Sequence, residues 1–117
     1  MTSNANAFGD VTFICKYDGD FDKELYEIKG KKVYRDGTLV TGIKNLSYFI
    51  NKLEWTEVSD GLYYSLSDHH TGKITDVFKA NFSTNKMVEI TTTENGWWRN
   101  GRADKNPITD FGVCEKM

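Results

Sequence analysis

Turn signals punctuate this chain at short intervals, and they constrain its fold more than any other feature. Asp36-Gly37, Asp60-Gly61 and Asn95-Gly96 each suit a two-residue hairpin turn, where both central residues need positive φ. Gly30, Gly72, Ser83-Thr84-Asn85 and Asn106-Pro107 add further breaks. The runs between them read as strands: Val11–Tyr17, Leu25–Lys29, Lys32–Arg35, Leu53–Val58, Leu62–Leu66, Lys73–Phe82, Lys86–Thr93 and Ile108–Cys114. Val11, Phe13, Cys15 and Tyr17 share one face of the first run, as do Phe78, Ala80 and Phe82 in a later one. In Lys86–Thr93 the apolar phase is Val88 and Ile90. This spacing predicts an all-β fold, a single small antiparallel β-barrel or highly twisted meander of about eight strands. One segment departs from the rhythm. Ile43, Leu46 and Ile50 fall at helical spacing, which predicts a short helix near 43–51 capping the barrel.

The 117 residues make one domain, 10–117, preceded by an extended stretch over 1–9. Seven Phe, six Tyr and three Trp are enough to fill a small barrel interior, which turns attention to the rim loops as the place for a ligand. The net charge is −2 without a basic stripe, which argues against a nucleic-acid partner. No apolar run approaches the ~18 residues of a transmembrane segment.

Two cysteines bracket the chain, Cys15 on the first strand-like run and Cys114 near the end. An even count with this placement predicts one disulfide, with the first and last strands side by side, in an oxidising compartment. Ala5 and Ala7 form an Ala-x-Ala pattern, which reads either as the remnant of a signal-peptide cleavage region or as a tag or ordinary tail. The expected location is secreted or periplasmic.

Motifs for chemistry are sparse. Asp18, Asp20, Asp22 and Glu24 alternate like calcium ligands, but Lys23 and Lys29 hold the positions where an EF-hand needs Gly and Glu. Asp68-His69-His70 contains the only two histidines, adjacent to each other, too few for a zinc site. With Thr71-Gly72 it reads as a hairpin loop. Neither a nucleophile elbow nor a phosphate loop is present, so the expectation is no catalytic, metal or cofactor-binding residues. The remaining signal is aromatic. Trp97-Trp98 follows a turn signal with Arg99 and Arg102 close by, and Trp and Arg dominate binding hot spots. These four residues are the candidate interaction surface.

The segment Trp97-Trp98-Arg99-Asn100-Gly101-Arg102-Ala103, with Cys114, resembles the periplasmic and membrane-bound C-type lysozyme inhibitors. Ser59-Asp60-Gly61-Leu62-Tyr63 is a loose counterpart of that family's Ser-Gly-x-x-Tyr inhibitory loop. The resemblance implies a small bacterial exported β-barrel with an inhibitor loop at Ser59, Gly61 and Tyr63. Asn100 stands where the family has lysine, so Arg99 or Arg102 would supply that charge, and Asp60 interrupts Ser-Gly. Three readings follow. The first is a small exported non-catalytic binding protein engaging another protein or a small ligand. The second is a C-type lysozyme inhibitor, and the third a small enzyme of unknown reaction.

Overall fold

The computed structural model describes residues 10–64, 68–95, 97–99, 102–104 and 107–117, with side chains outside 61–71 and 96–106. The stretch 1–9 lies outside the described residues. Eleven strands form one antiparallel sheet, curled into a half-barrel. They are β1 Val11–Tyr17, β2 Glu24–Lys29, β3 Lys32–Arg35, β4 Thr38–Leu39, β5 Ile43–Phe49, β6 Lys52–Tyr64, β7 Asp68–Asn81, β8 Lys86–Thr93, β9 Trp97–Arg99, β10 Arg102–Asp104 and β11 Ile108–Lys116. The all-β expectation holds. The sheet contains two consecutive meanders, β1 to β4 and β5 to β8, with β11 paired to β8 on one side and β1 on the other. β9 and β10 extend the sheet along the far part of β7.

The predicted disulfide is present. Cys15 and Cys114 sit directly opposite each other in the β1–β11 ladder, and both are fully buried. Beside them Gly112 faces Tyr17, and a Cβ there would collide with the carbonyl of Lys16 and crowd the Met87 sulfur. Only glycine lets β1 and β11 approach this closely next to the bond.

Several turn expectations need correction. Asp36-Gly37 makes its turn, both residues having positive φ (51° and 84°), and Asp36 Oδ1 accepts the Leu25 N–H. Asp60-Gly61 does not turn: it lies inside β6, with Asp60 opposite Lys73 and Gly61 opposite Gly72. Asp68 to Gly72 is likewise strand, not loop. The Asn95-Gly96 turn signal includes Gly96, which lies outside the described residues, and the strands on its two sides, β8 and β9, pair with β7 in one common register. At Asp60-Gly61 and from Asp68 to Gly72, long-range pairing outweighs the local turn preference.

The predicted helix over 43–51 is strand β5 followed by a turn. Asn45 adopts φ 57° and forms a bulge between Lys44 and Ser47. A bulge inserts one extra residue and shifts the side-chain phase. Ile43, Leu46 and Tyr48 therefore all pack on the core, and the three-residue step from Ile43 to Leu46 mimics a helix, while Ile50, the third residue of the expected helical face, is exposed at the turn. The β5–β6 turn is Ile50-Asn51, with φ 47° and 62°.

The concave face has two halves. Phe13, Tyr26, Ile28, Val33, Leu53, Trp55, Phe78, Ala80, Phe82 and Met87 fill one. Trp55 stacks on Phe78 at 4.2 Å, Phe13 on Tyr26 at 5.2 Å, and Tyr26 meets Phe78 at 5.5 Å across the curl. Such pairs add ~0.5–1.5 kcal/mol each beyond their burial. The other half is polar. The expectation of a barrel filled throughout by aromatics is thus only half right.

Candidate functional site

The inward positions of each strand can be followed from the apolar half to the open end. On β6 they run Leu53, Trp55, Glu57; on β7, Ala80, Phe78, Asp76; on β8, Met87, Glu89, Thr91. On β2 and β3, Tyr26 leads to Glu24 and Val33 to Arg35. Period-two alternation thus delivers charged groups to the same concave surface that carries the core, one step further along. There they surround a cavity of about 330 Å³ lined by Tyr17, Asp20, Glu24, Tyr26, Arg35, Asp76 and Glu89.

Side-chain hydrogen bonds link most of the cavity wall. Arg35 forks onto Glu57, with Nη2 donating at 3.0 Å and Nη1 at 3.4 Å. Its Nε donates to the Tyr26 hydroxyl at 3.1 Å, and that hydroxyl donates to Glu24 at 3.2 Å. The guanidinium also lies 5.3 Å from the centre of the Tyr26 ring. Tyr17 donates to Glu89 at 2.6 Å, and Thr91 to Asp76 at 2.5 Å.

Burial raises the carboxyls of Asp76 and Glu89 above the ordinary carboxylate range, although Thr91 and Tyr17 oppose the shift by hydrogen bonding to the charged form. Nearby like charges add to it, Glu57 at Asp76 and Asp76 at Glu89. Burial pushes the Tyr17 hydroxyl well above the usual phenol value, and Tyr26 and Glu89 push the same way. Tyr26 is pushed up to about 12 by burial, against the pull of Arg35. Burial alone would lower Arg35, but its hydrogen bond to Glu57 and the adjacent Tyr26 raise it instead. The result is a partly desolvated pocket with one cation, Arg35, which forks onto Glu57, lies 3.9 Å from Glu24 and by its charge partly opposes the upward shift of Asp76 and Glu89. Asp76 and Glu89 are left on neutral hydroxyl donors.

Of these lining residues, the sequence pointed to Asp20 and Glu24 only as part of an acidic run that fails the calcium pattern, and to Tyr17 only as one of an apolar face. Tyr26, Arg35, Asp76 and Glu89 were not candidates, because their burial depends on which strands the curl brings together. The sequence candidates lie elsewhere. Ser59 is exposed on β6 beyond Glu57, and Gly61 and Tyr63 follow on the same strand, opposite Gly72 and His70. Arg99 pairs with Asp68 and Arg102, while Trp97 pairs with Asp104. Tyr64, His69, Trp98 and Ala103 form one row across four strands. The side chains of Gly61, Tyr63, Trp97, Trp98, Arg99 and Arg102 lie outside the described residues, as do those of His69 and His70.

Among the described residues, no group of three or more His, Cys, Asp or Glu is arranged to hold a metal ion, and no helix is long and apolar enough to cross a membrane. Comparison with family models, with curated proteins and with solved structures gives no match.

Proposed function

We propose that this chain is a small exported, non-catalytic binding protein that takes a cationic head group, an ammonium or guanidinium, into the open end of its half-barrel. The observation that carries this reading is the charge balance of the cavity. Asp76 and Glu89 line it on neutral donors while Arg35 is held by Glu57. Glu24, Glu57, Asp76 and Glu89 outnumber the single cation Arg35, so a bound cation would add counter-charge and relieve the cost of keeping Asp76 and Glu89 ionised in a partly desolvated site. Tyr17, half-buried at the rim of the cavity, offers its ring for cation–π contact. Export is supported by the buried disulfide, since such bonds persist in oxidising compartments.

Calorimetric titration with agmatine, choline and spermidine tests the proposal. Saturable binding that strengthens as pH rises through the carboxylate range, and weakens about tenfold or more in Glu89→Gln, is the expected result. Absence of heat from all three at millimolar concentration would remove the reading.

A second reading is inhibition of C-type lysozyme. Its support is the strand order. β6, β7 and β9 are consecutive, so Tyr63, opposite His70, lies in the same part of the sheet as Arg99, opposite Asp68, and Arg102, although more than thirty residues of chain separate Tyr63 from Arg99, while Ser59 lies further along β6 opposite Ile74. If that reading holds, lysozyme turnover of bacterial cell walls falls in proportion to added protein. Tyr63→Ala and Arg99→Ala each then weaken inhibition about tenfold or more. Uninhibited turnover at a large molar excess would dismiss it.

A further inference from the structure

The end of the half-barrel opposite the cavity is built differently. The β5–β6 and β7–β8 turns meet there, joined by the Phe82 N–H donating to the Asn51 carbonyl, and the C-terminal end of β11 lies beside them. Phe49 is 70% exposed and Ile50 73%, at the tip of the β5–β6 turn. Met117 is 77% exposed, its N–H held by the Thr12 carbonyl. Ile50 has φ 47°, a left-handed conformation that a β-branched residue adopts only under strain. A two-residue turn of this kind ordinarily carries Asn, Asp or Gly, as Asp36-Gly37 does in the same molecule. A strained apolar residue held out into solvent is an outlier of the sort that marks function.

Charge is the second observation. Lys52 is directly opposite Phe49, Lys86 opens β8 just after the neighbouring turn, and both are exposed. Lys116 reaches into the same junction, donating to Tyr48 Oη at 3.3 Å and Asn51 Oδ1 at 3.1 Å. Among the described residues none of these three lysines makes an ion pair. The carboxylates Glu24, Glu57, Asp76 and Glu89 gather instead at the cavity end. A chain of net charge −2 therefore turns a lysine-ringed apolar tip outward at one end.

We infer that this tip is a docking surface for an anionic lipid bilayer, with Phe49 and Ile50 entering the interface and Lys52, Lys86 and Lys116 lying against lipid phosphates. Exposed apolar side chains and lysines act together at such a surface. Neither signal alone gives stable attachment, and each lysine near an anionic leaflet multiplies partitioning by about fivefold. An acidic protein would need the lysines but would not account for a strained Phe-Ile tip. This inference concerns the opposite end of the molecule and stands apart from the ligand reading.

Vesicle co-sedimentation with the whole chain tests it, comparing phosphatidylcholine alone with phosphatidylcholine carrying about 30 mol% phosphatidylglycerol. Binding to the anionic vesicles alone, diminishing with added salt, is expected. Ile50→Gly suits the turn's backbone better than isoleucine, so it keeps the fold, and with Phe49→Ser it should reduce binding at least tenfold. Lys52→Glu with Lys86→Glu should reduce it as strongly, and circular dichroism confirms that each variant is folded. Failure to bind anionic vesicles, or binding indifferent to the tip substitutions, would overturn the inference. Capture by soluble poly-glutamate without any vesicle binding would overturn it in favour of an acidic protein partner.

Discussion

Tyr17 and Glu89 meet at 2.6 Å in a desolvated wall, and the hydroxyl is the one hydrogen-bond donor to that carboxylate among the described residues. Tyr17→Phe deletes the donor and leaves the acceptor, the costly half of such a pair. It should destabilise the fold by about 1–3 kcal/mol at neutral pH, and by less in acid where Glu89 is protonated. Urea denaturation at the two pH values reads the difference. Asp76 and Glu89 also set a pH dependence of defined sign. Their folded carboxyls hold protons more tightly than the unfolded chain does. Between the ordinary and the raised values the folded state binds more protons, so stability falls as pH rises through that window. Asp76→Asn keeps an acceptor for Thr91 and should flatten this slope while leaving the protein at least as stable at neutral pH. A wild type whose urea midpoint climbs steadily over the same range would contradict the assignment. These residues were illegible in sequence for a concrete reason. The apolar phase of β8 is Val88 and Ile90, yet the buried partner of Ala80 is Met87, so Glu89 and Thr91 share the inward phase. Pattern alone selects the outer face of that strand, because the inner face turns polar after one residue.

Strand positions were largely legible at the scale of elements, and strand lengths were not. Alternation in Val11–Tyr17 and in Lys73–Phe82 located β1 and most of β7 with the correct buried phase. Asp60-Gly61 and Thr71-Gly72 misled because the long β6–β7 ladder runs through both, with Gly61 opposite Gly72 and Gly72 keeping a positive φ of 89° inside the strand. The β5–β6 turn was missed for the opposite reason: an isoleucine occupies a position that favours asparagine or glycine. Replacing it has a stability consequence separate from any docking role. Ile50→Asn should stabilise the protein by about 1 kcal/mol, because asparagine tolerates the left-handed region and little packing is lost from a side chain this exposed. A thermal midpoint unchanged or lowered by the substitution would show that the turn is not strained. At Gly42, with φ 76°, the opposite holds. A Cβ would overlap the Val58 carbonyl oxygen, whose strand also donates the Val58 N–H to the Gly42 carbonyl. Gly42→Ala should therefore cost about 1–3 kcal/mol, by strain as much as by the lost approach of β5 to β6.

The whole molecule is two meanders bridged by one strand and one covalent bond. Cys15 and Cys114 are 99 residues apart, so the bond restrains nearly the full chain when it unfolds. Cys15→Ser with Cys114→Ser should lower stability by about 4–5 kcal/mol in the chain-entropy model, read from the denaturant midpoint of the oxidised wild type against the variant. This pairing was readable from the sequence, because two cysteines admit only one intramolecular bond and both lay in strand-like runs. The insertion of β11 between β8 and β1 was not, since nothing local says which strand edges remain open for it. That insertion orders events in time. During synthesis β1 to β8 emerge first, and until β11 follows, the facing edges of β8 and β1 stay unpaired, as does the thiol of Cys15. A nascent chain of this protein therefore carries one open template for strand addition, the edge of β1, through most of its translation, and a second, the edge of β8, once that strand has emerged. Delay over the stretch of message that encodes β11 would leave it exposed to mispairing with its neighbours on the same polysome.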